Sequence, residues 1–117
     1  MKKRSEARFC KSLLVDISRT GFQQMGVTVN ISRRGMFVAT TEAFRKRSRL
    51  RILVAAADDI YAVSGLVAWK LKKAMIPGQD APVGMGIRIE TAPPGYYRYI
   101  ASLSKNAVVL PPSRSAN

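Results

Sequence analysis

Short apolar runs separated by turn signals recur along the chain, and this spacing restricts the folds available to it. Turns that contain glycine, proline or paired aspartates return at intervals of roughly ten residues, which favours short strands over long helices. In the clearest run, from residue 61 to 71, apolar side chains alternate with smaller or polar ones. The alternation predicts a strand that buries one face. On this pattern Tyr61 and Trp69 are expected to belong to the core.

The same patterning predicts six strands and one helix. The expected strands cover residues 9–15, 22–32, 36–39, 50–54, 61–71 and 83–90, and the helix has Pro93 and Pro94 in its first turn. A chain of 117 residues supplies one core, and a barrel leaves no exposed strand edge. We therefore predict an all-β fold, a small antiparallel six-stranded barrel with one short C-terminal α-helix. The folded domain is expected to span residues 1–104, followed by a flexible tail over 105–117.

The second predicted strand leads into a turn rich in polar groups. Its alternate residues form an apolar set and a polar set: Val27, Val29 and Ile31, and Thr28, Asn30 and Ser32. The apolar set is expected to face the core and the polar set the opposite side. Arg33 and Arg34 follow, and Gly35 is expected to close the turn with a positive φ. A strand end of this kind predicts a ledge that binds an anion or a base.

Charge and composition narrow the functional classes. Twenty Lys and Arg residues against seven Asp and Glu give a net charge of +13, which indicates an anionic partner such as a nucleotide, nucleic acid, a membrane surface or an acidic protein. The absence of histidine excludes a His-based catalytic triad and a Cys/His zinc site. Neither paired carboxylates nor a nucleophile with its base can be recognised, so a binding module is favoured over an enzyme, with no cofactor.

The single cysteine and the lack of long apolar runs bear on location. Cys10 cannot form an internal disulfide, which fits a cytoplasmic protein, and it is expected to be a small buried residue. No apolar run approaches the length of a membrane span, so membrane insertion is not expected. The basic N-terminus lacks the apolar segment of a signal peptide.

Two motifs in order give the chain a resemblance to the PilZ domain, a bacterial receptor module for cyclic di-GMP. Arg4-Ser5-Glu6-Ala7-Arg8 resembles the family's Arg-x-x-x-Arg segment, and Asn30-Ile31-Ser32-Arg33-Arg34-Gly35 resembles its Asp/Asn-x-Ser-x-x-Gly segment. The runs Gly65–Trp69 and Gly84–Ile87 are similar to later strands of such domains. The resemblance covers about residues 1–104.

The resemblance implies a site for cyclic di-GMP. Arg4 and Arg8 would close over the nucleotide, since arginine forms forked bonds to phosphate and to guanine. Asn30 and Ser32 would hold it from the barrel wall, Gly35 would shape the turn, and Gly86 would let it lie against backbone. The predicted site therefore contains Arg4, Arg8, Asn30, Ser32, Arg33, Arg34, Gly35 and Gly86. Binding would change the conformation of the domain and signal to an unidentified protein partner.

The segment 16–21 also fits the second motif, but it follows Arg8 too closely to leave room for a strand pair, and we reject it as part of the site.

Two alternatives to a cyclic di-GMP receptor remain open. The basic cluster from Arg45 to Arg51 has no role in the PilZ interpretation, and it favours a small basic barrel that binds nucleic acid or an acidic protein surface. A degenerate PilZ adaptor without nucleotide would share the fold, although both motif arginines are present.

Overall fold

The computed structural model describes residues 7–71 and 83–109, with side chains described as far as residue 104. Six strands and one helix follow one another along the chain. The strands are β1 (Leu14–Arg19), β2 (Phe22–Ile31), β3 (Gly35–Thr40), β4 (Arg49–Ala56), β5 (Asp59–Leu71) and β6 (Val83–Thr91), and the helix is α1 (Pro94–Val109). The predicted number and order of elements are confirmed. Arg4 lies outside the described residues.

The strands close into a barrel in the order β1-β2-β3-β6-β5-β4. Every neighbouring pair is antiparallel, including β1 with β4 and β3 with β6, which complete the closure. Closure satisfies the backbone hydrogen-bonding groups that an open sheet would leave along its edges. The all-β barrel with one C-terminal helix is therefore confirmed.

Inward side chains from all six strands form one core, which the helix extends. Strand β4 alternates exposed and buried residues along its whole length, as a strand with one wetted face should. Tyr96 and Ile100, four residues apart on α1, are buried in the same cluster as the barrel residues. Pro94 starts the helix, where its missing N–H costs no hydrogen bond. The helix continues to Val109. No helix in the described part of the chain is long and apolar enough to cross a membrane.

Strand β2 faces the opposite way from the prediction over most of its length. Thr28 is buried, whereas Val27 and Val29 are 40% and 45% exposed. The register with β3 shifts between Thr28 and Asn30, which marks a β-bulge at Val29, and Ile31 returns to the core beyond it. The prediction was wrong because a bulge resets the alternation of faces, and period-two reasoning assumes that none is present.

Three smaller expectations also need correction. Strand β1 begins at Leu14 and runs through Asp16 to Arg19, so the expected first strand at 9–15 lies too early. Cys10 is exposed, since it precedes the barrel strands in a segment on the surface. Gly35 does not have a positive φ; among the described glycines only Gly21 does, with φ of 71°.

Candidate functional site

Ser32 and Gly35 hold the turn between β2 and β3 together. The Ser32 N–H donates to the Gly35 carbonyl oxygen at 2.8 Å. The Ser32 hydroxyl donates to the same carbonyl at 3.0 Å and accepts from the Gly35 N–H at 3.1 Å. Both residues are buried. The serine of the second motif therefore builds the turn, and its side-chain oxygen is also within reach of Arg8.

Gly35 is required by a close backbone approach. It begins β3 opposite Arg88 of β6, and a Cβ atom at this position would lie 2.6 Å from the Ile87 carbonyl oxygen. That distance is too short for any side chain without movement of the β3–β6 pair. The glycine lets the turn sit directly against β6.

The first motif reaches this turn through the segment 9–13, which we call the N-terminal strap. Phe9 exchanges both backbone hydrogen bonds with Ile31, at 2.8 and 2.9 Å. This bridge places Arg8 beside the turn, where its Nη1 atom donates to the Ser32 hydroxyl over 3.4 Å. The two predicted motifs therefore meet at Ser32.

The side chain of Asn30 has an unsatisfied acceptor. Its Oδ1 atom is buried and has no hydrogen-bond partner among the described residues. Asn30 pairs with Phe37 across β2 and β3, just beyond the bulge at Val29. A buried carbonyl oxygen without a donor is costly, so this atom is suited to accept a bond from a ligand.

A cleft of about 240 Å³ lies beside the turn, and arginines and backbone form much of its wall. Its lining comes from the N-terminal segment, the β2–β3 turn and strands β3, β5 and β6: Arg8, Arg34, Gly35, Met36, Ala68, Trp69, Gly86, Ile87 and Arg88. Three guanidinium groups therefore border one cleft, and no carboxylate is among its lining residues. Such a surface favours an anion with planar groups.

Some of the predicted site residues lie at the cleft and others lie elsewhere. Arg8, Arg34, Gly35 and Gly86 line the cleft. Arg33 instead stacks its guanidinium over the ring of Tyr97 on α1, with 5.4 Å from Cζ to the ring centroid. The two consecutive arginines of the turn thus point to different surroundings.

Trp69 is part of the cleft wall, contrary to the expectation that it belongs to the core. It is 48% exposed, because the β5–β6 register shifts between Val67 and Trp69 and breaks the alternation at Ala68. Its indole stacks on Phe37 with 5.1 Å between ring centroids and 9° between planes. Tyr61 does pack partly buried against the core.

The space beside Gly86 is taken by this aromatic pair. A Cβ atom at Gly86 would collide with the Trp69 indole, and one at Gly84 would collide with the Phe37 ring. The glycines of β6 thus admit the protein's own rings against the barrel. The rest of the Trp69 indole is exposed, and an exposed indole is a platform on which a base can stack.

The sequence reasoning missed five of the nine cleft residues, and two of these, Arg88 and Trp69, carry a charge or a ring suited to a nucleotide. Arg88 could have been found, because it continues the outward set of Gly84 and Gly86 on β6 and pairs with Gly35. Trp69 could not, because the bulge that turns it outward leaves no signal in the alternation.

Helix α1 contacts the turn from the other side. The buried Tyr96 hydroxyl donates to the Ser32 carbonyl oxygen at 2.7 Å. Ile89 of β6 also donates its N–H to the Arg34 carbonyl at 2.8 Å. The turn is therefore fixed by β6 and by the first turn of the helix.

The shifted pKa values lie away from the cleft. Arg49 donates two hydrogen bonds to Glu90, at 3.0 and 3.2 Å, which lower the pKa of Glu90 and raise that of Arg49. Burial raises the pKa of Tyr99. No group of three or more potential metal ligands occurs in the described part of the chain.

Comparison with known proteins agrees with this geometry. The family model for the PilZ domain matches residues 2–105. The chain belongs to the PilZ domain family. No curated protein sequence is similar enough to this PilZ domain to count as a relative.

Solved structures similar to this PilZ domain share its fold at low sequence identity. The E. coli structure described as the PilZ domain of YcgR with c-di-GMP has a TM-score of 0.69 and 14% identity, covering 91% of this chain and 95% of that one. B. subtilis MotI/DgrA, described as an inhibitor of motility, gives 0.74 and 15%, covering 93% and 53%. The K. pneumoniae MrkH–c-di-GMP complex gives 0.72 and 12%, covering 93% and 54%. This PilZ domain thus spans about half the length of MotI/DgrA and of MrkH.

Proposed function

We propose that this domain is a cyclic di-GMP receptor, and that the cleft between Arg8, Arg34 and Trp69 is its nucleotide site. The convergence of both motifs on one cleft is the observation that carries the proposal. The ligand carries two phosphates and two guanines. Guanidinium groups bind phosphate oxygens and the O6 and N7 atoms of guanine, and an indole stacks on a base.

The charged and polar residues of the proposed site have separate roles. Arg8 and Arg34 bind phosphate or guanine, and Arg88 adds a third cation. The unsatisfied Oδ1 of Asn30 accepts a hydrogen bond, for which the guanine amino and imino groups are suitable donors. Arg4 would complete the grip from the N-terminal side. The domain performs no reaction; it acts in the cytoplasm, and bound nucleotide alters the turn that a protein partner recognises.

The single tryptophan makes the proposal directly measurable. Trp69 lines the cleft, so bound nucleotide should change its fluorescence, and no other tryptophan contributes to the signal. We expect cyclic di-GMP to bind with a Kd of about 1 μM or lower, or roughly −8 kcal/mol. GTP and linear dinucleotides should bind far more weakly, because each offers only part of the ligand. Equal affinity for GTP would reduce the proposal to general attraction of anions.

Substitution of Arg8 distinguishes a local site from bulk charge. Arg8→Ala should weaken binding by about one to two decades, since a bond to a charged group contributes roughly 1.5–3 kcal/mol. Its control is the triple replacement of Arg45, Lys46 and Arg47 by Ala. These three residues are exposed and lie outside the cleft. The triple variant should lose only about 1 kcal/mol or less at physiological salt, through screened attraction.

The basic loop supports a second candidate function. Arg45, Lys46 and Arg47 are all exposed at one turn, and the net charge of +13 exceeds what a dianionic ligand needs. A nucleic-acid interface there would reverse the order of the two variants when an oligonucleotide is the ligand. The triple variant would then lose most affinity and reduce the salt dependence, whereas Arg8→Ala would have little effect.

A further inference from the structure

The N-terminal strap crosses the outside of the barrel without being one of its strands. Its first residue is fixed by the Phe9–Ile31 bridge described above, and its last by the Thr28 N–H, which donates to the Leu13 carbonyl at 2.9 Å. Between these ends, Cys10, Lys11 and Ser12 are exposed. The side chains of Phe9 and Leu13 also pack, partly buried, against the core.

The side chain of Thr28 provides the remaining anchor. Its hydroxyl donates to the Lys11 carbonyl at 2.6 Å and accepts from the Leu13 N–H at 2.8 Å. Both bonds go to the backbone of the strap, and Thr28 is 1% exposed. One buried hydroxyl thus satisfies a donor and an acceptor of a segment outside the strand ladder.

The β-bulge at Val29 lets one strand hold the strap at two points. Thr28 and Ile31 are both buried, and they flank the register shift of β2 against β3. Thr28 holds the far end of the strap, and Ile31 holds the end next to Arg8. The Ile31 anchor is entirely backbone, whereas the hydroxyl bonds of Thr28 can be removed by substitution.

We infer that Thr28 is a positioning residue for the nucleotide site: its hydroxyl fixes the strap on β2 and so keeps Arg8 beside Ser32. The predicted effect of Thr28 on nucleotide affinity rests on the proposed function. The anchoring itself is independent of any ligand. Thr28 does not line the cleft, so it acts through the strap and Arg8.

Three substitutions isolate the hydroxyl. Thr28→Val keeps the branched shape and loses both side-chain hydrogen bonds, whereas Thr28→Ser keeps the hydroxyl. Thr40→Val is the matched control, because Thr40 is also buried and its hydroxyl donates to the Glu42 carbonyl at 2.7 Å. This hydrogen bond does not involve the strap, and Thr40 is not among the residues that line the cleft.

The first measurement is the affinity for cyclic di-GMP, with Trp69 fluorescence as the signal. Thr28→Val should weaken binding by about tenfold, since two hydrogen bonds of the strap are lost. Thr28→Ser and Thr40→Val should stay within about twofold of the unmodified domain. When Arg8 is already replaced by Ala, Thr28→Val should cause no further loss beyond about twofold, because the two residues act in series.

The second measurement uses trypsin without nucleotide. Cleavage after Lys11 should be at least about tenfold faster in Thr28→Val than in the other two variants, because only that variant loses both side-chain hydrogen bonds to the strap. If Thr28→Val does not fold, Thr28→Ala replaces it in both measurements.

Several results would overturn the inference. One is unchanged cleavage after Lys11 in Thr28→Val. Another is an equal loss of affinity in Thr40→Val, which would indicate general destabilisation. A full additional loss in the Arg8→Ala background would show that Thr28 acts on the cleft by another route. If the unmodified domain fails to bind cyclic di-GMP, the proposed function fails, whereas the trypsin experiment still decides whether Thr28 anchors the strap.

Discussion

Two turns of this barrel share one sequence pattern and have different structures. Residues 16–21 and 30–35 both read Asp/Asn-x-Ser-x-x-Gly. The first segment lies mostly within β1 and ends in the turn to β2, whereas the second leaves β2 and enters β3. The comparison shows what the pattern needs before it can form a binding site.

In the first segment the polar residues stabilise the hairpin formed by β1 and β2. The Asp16 carboxylate accepts hydrogen bonds from Gln23 Nε2, at 2.9 Å to each oxygen. Ser18 is half-buried within β1, and Gly21 supplies the left-handed φ of 71° that the tight turn requires. These contacts join neighbouring parts of one hairpin.

In the second segment the same residue types connect distant parts of the chain. Ser32 is contacted by Arg8, 24 residues earlier, and by Tyr96, 64 residues later. Gly35 sits against the β6 backbone rather than in a left-handed turn. The strap, β6 and the helix that pack around this turn therefore distinguish it as the proposed site, and the six-residue pattern alone does not.

Replacing the glycine of each segment by alanine should give the largest difference in the free energy of unfolding between the two segments. Gly35→Ala should lower the free energy of unfolding by about 3 kcal/mol, because its Cβ would press on the Ile87 carbonyl oxygen. Gly21→Ala meets no atom within 4 Å and carries only the cost of its positive φ, about 1 kcal/mol. Urea unfolding of both variants measures the difference. Equal losses would mean that β3 and β6 can separate at Gly35 without cost.

The two serines should differ by a smaller amount. Ser32→Ala removes the hydroxyl that bonds to both backbone groups of Gly35, so we expect a loss of about 2 kcal/mol and weaker nucleotide binding. Ser18→Ala should change the free energy of unfolding by about 0.5 kcal/mol or less. The same urea titrations apply. A tolerant Ser32 would indicate that the backbone alone maintains the turn.

The smallest effect is expected from the helix contact that only the second turn has. Tyr96→Phe removes the bond to the Ser32 carbonyl and keeps the buried ring, which should cost about 1 kcal/mol. Tyr97→Phe is the control, since it retains the ring over which Arg33 stacks. Thermal unfolding should separate the two variants by a few degrees. A larger loss in Tyr97→Phe would contradict the assignment of Tyr96 as the link.

Patterning and motifs predicted much of this molecule, and their failures share a cause. The alternation on β4 and the spacing of turns were enough to predict the six-stranded barrel. The faces of Thr28 and Trp69 were predicted wrongly, because both lie beside register shifts that alternation cannot reveal. The positive φ expected at Gly35 was also wrong, since the glycine is required by a close approach of Ile87, 52 residues later in the sequence. The residues next to Gly35 in the sequence give no indication of that approach.

The link from Ser32 to Tyr96 also has a consequence for folding during synthesis. The motif residues Arg8 and Ser32 leave the ribosome well before β6 and the helix that complete their surroundings. Contacts that span 64 residues form only after a large loop has closed, and barrels dominated by such pairings fold on millisecond to second timescales. A nascent chain that already contains both motifs therefore still lacks the contacts that β6 and α1 make with the turn.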